Sequence, residues 1–295
     1  MTLIAIFFSL VLERAIESLR EYRRFEWFDA WTEKTRNWCE ARSLGGPLTV
    51  LAVISPPVVL VGLVNLALYD VLGGLFSLVL NVVILVLCLG PQDLDEQVTH
   101  VMDALDEGEE EGIRAAVEPL IESEMPASNS QLQQSLITTI LLQANERVFS
   151  LLFTFLLLGP LGAVLYRLSC HMKSHAGEGD YATASHRLHD LLAFVPAHLS
   201  ALGYAMAGSF VDAIHAWRLH FAEWKADWQS SVSGAAIAGG FGALQFDPGE
   251  PTSEEQQPDY EAIHGQVKST LGLVWRTLVI WVVLIAIFTL FGLTL

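Results

Sequence analysis

The sequence predicts an all-α protein that crosses a membrane several times and carries amphipathic interfacial helices and an acidic helical segment. Hydrophobic residues make up 52% of the chain and charged residues only 17%, with a mean hydropathy of +0.43. Soluble domains contain about 25% charged residues, so this composition excludes an ordinary soluble protein. A bilayer core about 30 Å thick needs about 20 helical residues, and uncharged apolar segments of that length predict membrane helices. There are four: Pro47–Tyr69, Val71–Gly90, Val148–Tyr166 and Thr277–Leu295.

The first 46 residues predict a helix that dips into the bilayer, followed by a basic cytoplasmic helix. Met1–Leu12 is apolar but too short to cross by itself, and it lacks the basic start and cleavage site of a signal peptide. Seven Lys or Arg residues lie between Glu13 and Gly46, and the positive-inside rule places them in the cytoplasm. Four aromatic residues near helical spacing fit an interfacial helix or ordinary helix packing: Trp27, Phe28, Trp31 and Trp38.

Residues 47–90 predict a transmembrane hairpin. Pro56 and Pro57 lie inside its first helix and should kink it, because proline removes a backbone hydrogen bond. Asn81 should face a neighbouring helix and not lipid. The turn is expected near Asp70, Gly73 and Gly74, which returns the chain to the cytoplasm.

Residues 91–147 predict an acidic cytoplasmic helical segment. Twelve Asp or Glu residues lie between Asp93 and Glu124, against Arg114 as the one Lys or Arg. The run Glu109–Glu111 lacks the ligand spacing of a calcium loop, so a solvated acidic helix pair is the better interpretation. Ser128–Gln143 predicts a helical lead-in to the next span, with Ser128 or Asn129 as its N-cap.

Residues 148–208 predict a third span, a polar histidine-bearing loop and a membrane helix over Leu188–Gly208 that Pro196 interrupts. Residues 209–270 follow with an amphipathic helix, a Gly/Ala patch at Gly234–Ala243 and a solvated linker over Phe246–Asp259. A Gly/Ala patch favours close helix packing. Residues 271–295 form the C-terminal span, which Trp275 and Trp281 help to position.

Several kinds of chemistry are disfavoured. The net charge of −17 argues against nucleic acid as a partner, because phosphates require an excess of Lys and Arg. The three cysteines are far apart, and no Walker phosphate loop, Gly-x-Ser-x-Gly turn or His-Glu-x-x-His pair occurs. His171 and His175, and His186 and His189 with Asp190 adjoining, have spacings that metal sites use, but no Cys or Glu completes a convincing ligand set. We therefore predict no metal, no cofactor and no catalytic residue.

Three short elements, together with the order of spans, carry a family resemblance: Met1-Thr-Leu, Leu12-Glu13-Arg14 and Phe194-Val195-Pro196. They resemble the AmpE family of bacterial inner-membrane proteins. The resemblance implies a signalling modulator of β-lactamase induction and peptidoglycan recycling, associated with a soluble AmpD-like amidase.

Other elements carry a second resemblance: Pro196–Leu202, His189-Asp190, Ala235–Gly242 and Gly159–Gly162 with Tyr166-Arg167. They are similar to elements of the CobD/CbiB membrane enzymes, which form the aminopropanol amide of adenosylcobinamide with ATP. Pro196-Ala-His198-Leu-Ser-Ala-Leu202 is similar to the Pro-Ala-Arg-Leu-Thr-Ala-Leu of that family, and His189-Asp190 to its acidic pair. Ala235–Gly242 is similar to its Ala-Ala-Met-Ala-Gly-Ala-Leu-Gly, and Gly159–Gly162 with Tyr166-Arg167 also matches the family.

The polar motifs of those enzymes are altered in this chain. Glu-Asn-x-x-Asp becomes Asn145-Glu146-Arg147, Asn-Thr-Leu-Asp-Ser-Met becomes Arg167-Leu-Ser-Cys170-His-Met, and Ser-Pro-Asn-Ala-Gly becomes Ser230-Ser-Val-Ser-Gly234. ATP chemistry needs carboxylates for magnesium and cations for phosphoryl charge. The resemblance therefore implies an enzyme scaffold that has lost its reaction.

The sequence as a whole favours a regulatory inner-membrane protein that is non-catalytic or retains a residual ligand site. The expected site residues are Asn145, Glu146, Arg147, Tyr166, Arg167, Asp190, His198, Gly234, Gly239, Gly240 and Gly242. The alternatives are a cobinamide-phosphate synthase-like enzyme and a scaffold that recruits a soluble partner through Asp93–Glu124. We expect five long membrane segments besides the dipping helix, a C-terminus at the periplasmic side and contact with the lipid bilayer. The sequence leaves open whether the protein forms a homo-oligomer.

Overall fold

The structure, a computed structural model, describes residues 2–15, 25–68, 74–121, 126, 128–223, 228–248 and 259–291. Every regular element in these ranges is helical, which confirms the predicted all-α fold. The helices are α1 (Thr2–Ala15), α2 (Glu26–Glu40), α3 (Gly46–Leu68), α4 (Leu75–Cys88), α5 (Pro91–Glu107), α6 (Glu110–Val117), α7 (Asn129–Ala144), α8 (Ser150–Leu158), α9 (Pro160–Ser174), α10 (Asp180–Ala207), α11 (Phe210–Glu223), α12 (Trp228–Leu244) and α13 (Tyr260–Leu290).

Four helical stretches in the described ranges are long and apolar enough to cross a membrane. They are α3, the run Asn129–Leu158, α10 and α13. Shorter apolar helices cover Thr2–Glu13, Leu75–Cys88 and Val232–Leu244. α3 leaves a set of large apolar side chains exposed: Leu48, Leu51, Val59, Leu60, Leu63 and Leu66. Contact of these side chains with lipid costs little free energy, whereas contact with water is unfavourable. The chain is a helical membrane protein.

The chain folds as two compact units. The first unit consists of Met1–Gly90, Ser150–Phe194 and Ile285–Leu295. The second consists of Pro91–Phe149 and Val195–Leu284.

In the first unit, α3 packs against α2 and α9, and α4 packs against α1 and α9. A cluster of buried side chains holds α2, α3, α9 and the start of α10 together: Phe28, Val50, Val53, Ile54, Leu168, Met172, Ala176, Tyr181, Ala182 and Ala184. The helix pair α3 and α4 also makes a polar contact, in which the Ser77 hydroxyl donates to Asn65 Oδ1 at 3.0 Å. The Oδ1 atom of Asn81, on α4, is shielded from solvent.

A hydrogen bond from α2 compensates for one that the prolines of α3 remove. α3 is helical through Pro56 and Pro57. Because Pro57 has no backbone N–H, the carbonyl oxygen of Val53, four residues earlier, lacks its helical donor. The indole N–H of Trp31 on α2 donates to this oxygen at 3.0 Å. One aromatic side chain thus satisfies a buried carbonyl that the helix cannot satisfy internally.

The start of α3 is capped from a distant part of the chain. The backbone N–H of Gly46 donates to Asp180 Oδ2 at 2.7 Å. A carboxylate at a helix N-terminus satisfies an orphan N–H and interacts favourably with the helix dipole. Gly46 is the residue that permits this approach, because a Cβ there would lie 2.3 Å from the Asp180 carbonyl oxygen.

In the second unit, α12 packs against α11 and α7. It runs antiparallel to α11, since Gly234 lies against His220 and Gly242 lies against Asp212. On other faces, a Cβ at Gly239 would lie 2.6 Å from Ala201 Cβ, and one at Gly240 would lie 2.4 Å from a Leu141 methyl carbon. The Gly/Ala patch therefore permits close helix packing, as the sequence predicted.

The acidic segment forms the helix pair α5 and α6. An apolar stripe that includes Leu94, Val98, Val101 and Ile113 is buried, and α5 packs against α7. The acidic side chains of Glu109–Glu111 are exposed. Two others contact α13, where Asp95 accepts from Trp275 Nε1 at 3.1 Å and Asp106 lies 3.3 Å from His264 Nδ1.

The predicted third span over Val148–Tyr166 is wrong. The chain turns at Gly159, whose φ of 62° and ψ of −145° are essentially restricted to glycine, and Pro160 begins α9. α8 and α9 then pack against each other, and a Cβ at Gly162 would lie 2.0 Å from the Thr154 carbonyl oxygen. The apolar helix of spanning length is instead Asn129–Leu158, which begins in the predicted lead-in, with Ser128 as its N-cap.

Three further boundaries differ from the sequence prediction. The histidine-bearing loop is mostly helical, because α9 extends to Ser174 and α10 begins at Asp180. α10 continues through Pro196, which does not end it. α13 begins at Tyr260, well before Thr277, because its polar first turns also form helix.

Some predicted features lie outside the described residues. These are the turn residues Asp70 and Gly73, most of the linker over 249–258, Trp224 of the amphipathic helix and residues 292–295.

We expect Trp31→Phe to lower the free energy of unfolding by about 1–3 kcal/mol, because it leaves the Val53 carbonyl buried without a donor. The measurement is the thermal unfolding midpoint of the purified protein in detergent. Trp38→Phe is the matched control, since Trp38 is 52% exposed and its indole stacks with the Arg42 guanidinium. Equal midpoints for the two variants would contradict the role assigned to Trp31.

We expect Gly239→Ala to lower the free energy of unfolding by about 1–3 kcal/mol, since its methyl group meets the Ala201 Cβ and Cα atoms. Gly272→Ala is the control, because nothing lies within 4 Å of a Cβ there and alanine favours helix by about 0.5–1 kcal/mol. Both are measured by thermal unfolding in detergent. A stabilising Gly239→Ala would show that α12 is not tightly packed.

Candidate functional site

The first candidate site residues occupy a π-helical segment between α7 and α8. This segment is Asn145–Phe149, so Asn145, Glu146 and Arg147 share one widened turn. π segments are rare and often occur at functional sites. Glu146 and Arg147 also lie within Asn129–Leu158, a helix apolar enough to span a membrane. Ionisable residues in such a helix point to function, because burying them without a role is costly.

Asn145 is held in a fixed orientation. Its side chain is 3% exposed, and its Oδ1 atom accepts from the hydroxyl of Ser200 on α10 at 2.9 Å. Its backbone N–H donates to the carbonyl oxygens of Leu141 and Leu142. A buried polar pair of this kind defines the register of two helices, because either group alone would be costly to bury.

Arg147 ties the π segment to α5. Its Nη1 atom donates to Gln97 Oε1 at 3.3 Å, and both side chains are partly buried. Chemically, the turn therefore presents an amide, a carboxylate and a guanidinium. These groups can bind a polar or anionic ligand, but they do not form a nucleophile and base pair.

The glycines of α12 frame this region of the second unit. Gly239 lies against Ala201, which adjoins Ser200, and Gly240 lies against Leu141, one turn before Asn145. The Asn145–Ser200 pair thus lies near the contacts that α12 makes with α7 and α10.

The other two candidate glycines face α11. Gly234 lies against the His220 ring, and Gly242 lies against the backbone of Asp212. Ser209 and Gln245 donate to Asp212 Oδ2 at 2.6 and 2.8 Å, and these hydrogen bonds hold the pKa of its carboxyl group below the usual value. Gly234 and Gly242 therefore serve the α11–α12 contact.

His198 also faces α11. Its ring lies 6.0 Å from the Trp217 ring and 6.2 Å from the Phe221 ring, both in edge-to-face arrangements. His198 is two residues before Ser200 on α10, so it points to a different face of that helix.

The remaining candidates, Tyr166, Arg167 and Asp190, belong to the first unit. Tyr166 is fully buried with its ring 5.6 Å from that of His189, and Asp190 is 8% exposed. His189 Nδ1 lies 3.6 Å from Cys170 Sγ. The guanidinium carbon of Arg167 lies 5.6 Å from the centre of the Phe25 ring.

In the second unit, Asn145 lies near the helix contacts that Gly239 and Gly240 make. In the first unit, the Tyr166 ring lies beside the His189 ring, and Asp190 follows His189 in the chain. Sequence reasoning missed Gln97, Ser200 and His189 as their partners. Ser200 and His189 lie in the elements that resemble the CobD/CbiB enzymes, which was a usable signal. Gln97 lies 50 positions from Arg147, and no sequence spacing connects them.

Comparisons with known proteins identify the family. The family model described as "CobD/Cbib protein" matches residues 3–272. The "Cobalamin biosynthesis protein CobD" of Chromobacterium violaceum is 30% identical over 176 residues, which cover 58% of this chain and 55% of that protein. The protein of the same name from Stutzerimonas stutzeri is 30% identical over 170 residues, covering 56% and 55%.

The chain thus spans about half the length of the curated relatives it matches. No solved structure matches it. Nothing in these comparisons singles out the AmpE type. Because the family match covers nearly the whole chain and every candidate site residue, this protein belongs to the CobD/CbiB family.

Proposed function

We propose that this chain takes part in cobalamin biosynthesis, as a membrane enzyme that forms an amide bond on a corrinoid side chain with ATP. The observation that carries the proposal is the family match over residues 3–272, together with two relatives whose names state cobalamin biosynthesis. This is the enzyme alternative of the sequence analysis, and the comparisons favour it over the AmpE-type regulator.

The residues of the π segment are of the types that such a reaction uses. ATP-dependent amide formation needs cations near phosphoryl oxygens and carboxylates that hold magnesium. Arg147 and Glu146 supply one of each, and Asn145 is fixed beside them by Ser200. We assign these three residues to ligand binding within the proposal.

A regulatory function of the AmpE type is the second candidate. Two observations favour it: the family's polar motifs are altered here, and Asn145 and Arg147 make hydrogen bonds within the chain. In this function the exposed acidic side chains of Glu109–Glu111 would contact a soluble cytoplasmic partner such as an AmpD-like amidase. The bacterial inner membrane is the location proposed for both candidates.

The direct test uses the purified chain in lipid nanodiscs with a corrinoid carboxylic acid, an aminopropanol donor and ATP. We expect corrinoid-dependent ATP consumption and a corrinoid product whose mass corresponds to the amide. Capture of a soluble partner through the acidic helices, without corrinoid binding or ATP consumption, would support regulation instead. Absence of both corrinoid binding and turnover contradicts the enzyme proposal.

We expect Arg147→Ala to lower the corrinoid-dependent rate by about 100-fold, the usual effect of removing a charge-stabilising donor. Arg276→Ala is the matched control, because Arg276 is an exposed arginine whose Nε atom donates only to its own helix, at Gly272. The thermal unfolding midpoint of each variant is measured alongside the rate. A full rate in Arg147→Ala would remove Arg147 from the site.

A further inference from the structure

A cluster of three potential metal ligands lies in the first unit, at the end of α9. His171 and His175 are one helical turn apart, with stacked rings whose centres are 4.3 Å apart and inclined by 23°. Asp29 of α2 places its Oδ1 atom 2.6 Å from His171 Nε2. One ligand atom from each of the three residues lies within 4.8 Å of the others. Within the described ranges, these are the residues that form such a group.

The hydrogen bonds of His175 prepare its other nitrogen for a metal. Its Nδ1 atom lies 3.0 Å from the carbonyl oxygen of His171. A carbonyl oxygen can only accept, whereas the Ser174 hydroxyl, 3.1 Å from the same Nδ1 atom, can donate or accept. In the tautomer that makes the hydrogen bond to the carbonyl, Nδ1 carries the proton and Nε2 keeps its lone pair. Metal-binding histidines in proteins almost always donate their second nitrogen in this way, which fixes the tautomer and the ring orientation.

The cluster is also supported by packed helices. The ring of Phe28, which is fully buried, lies 5.7 Å from the His171 ring, and the ring of Phe25 lies 6.0 Å from it. Met172, next to His171, belongs to the buried core of the first unit. Ligands on rigid elements keep their geometry and bind a metal at lower entropic cost.

We propose that Asp29, His171 and His175 bind one divalent cation of the zinc type, which ties α2 to the end of α9. Two imidazoles and one carboxylate suit Zn²⁺, with water as a fourth ligand, and do not suit Mg²⁺ or Ca²⁺, which take mainly oxygen ligands. Zinc–ligand bonds of about 2.0–2.2 Å place tetrahedral ligand atoms about 3.3 Å apart. The ion therefore replaces the hydrogen bond between His171 and Asp29. Because an ion lies in the plane of each imidazole that binds it, the two rings must also turn out of their stacked arrangement. Asp29 and His175 have room to move, since the Asp29 side chain is 47% exposed and His175 is exposed.

This inference is independent of the proposed function, since it uses none of the π-segment residues. It also extends the sequence analysis, in which the His171–His175 pair had no third ligand. Asp29 lies 142 positions away along the chain and becomes a neighbour only when α2 packs against α9.

The test is calorimetric titration of Zn²⁺ into the full chain in nanodiscs, purified without a histidine tag and treated with a chelator. Cobalt(II) absorption gives a second reading of coordination by nitrogen and oxygen. We expect one Zn²⁺ per chain. His175→Ala should lower the zinc affinity by about 100-fold or more, because losing a ligand should cost at least as much affinity as losing a residue that hydrogen-bonds to a ligand. Mg²⁺ should produce no comparable heat.

The matched control is His186→Ala, which removes another exposed histidine of the same unit. Its zinc affinity should equal that of the unaltered chain. His175 is itself exposed, so its removal should leave the fold intact, and the thermal unfolding midpoint without zinc checks this. The proposal is overturned if the unaltered chain binds no Zn²⁺, or if His175→Ala and His171→Ala bind it as the unaltered chain does.

Discussion

The second unit depends on the close approach of α12 to its neighbours. At Gly239 and Gly240 no side chain separates α12 from Ala201 on α10 and Leu141 on α7. Membrane helices associate without a hydrophobic driving force between them, so small residues and short interhelical distances supply the packing energy. This approach positions Ser200 so that it donates to Asn145, in the turn that also carries Glu146 and Arg147. The close packing at Gly239 and Gly240 therefore also determines how the candidate site residues are oriented.

The first unit follows a second rule, that backbone groups away from water need a partner inside the protein. Pro57 leaves the Val53 carbonyl without its helical donor, and the Trp31 indole supplies one. The Asp180 carboxylate accepts a hydrogen bond from the N–H of Gly46 at the start of α3, which has no helical acceptor. Each contact joins elements that are distant in sequence, which is why α2 and the start of α10 pack against α3.

The sequence predicts the parts of this protein that depend on local patterns. Apolar length predicts the spanning helices α3 and α13, but it places a third span at Val148–Tyr166 where the structure has Asn129–Leu158. Ser128 or Asn129 is predicted as an N-cap, which is Ser128 in the structure, and the Gly/Ala patch predicts close packing. The predicted span over Val148–Tyr166 missed the break at Gly159, because the segment is apolar throughout. The pair Gly159-Pro160 was the local signal that could have indicated the break. The π segment and the pairing of His171 with Asp29 had no local signal, because both depend on tertiary contacts. The candidate residues themselves came from family resemblance, and their partners came only from the fold.

The central claim is that the π segment and the adjoining part of α10 form the ligand site of a CobD/CbiB-family protein. Hydrogen–deuterium exchange of the chain in nanodiscs, with and without a corrinoid carboxylic acid, tests this claim most directly. The account predicts that corrinoid slows amide exchange in peptides covering Asn145–Phe149 and His198–Ser200, while exchange in α2 is unchanged. Unchanged exchange in both of those segments at saturating corrinoid would contradict it.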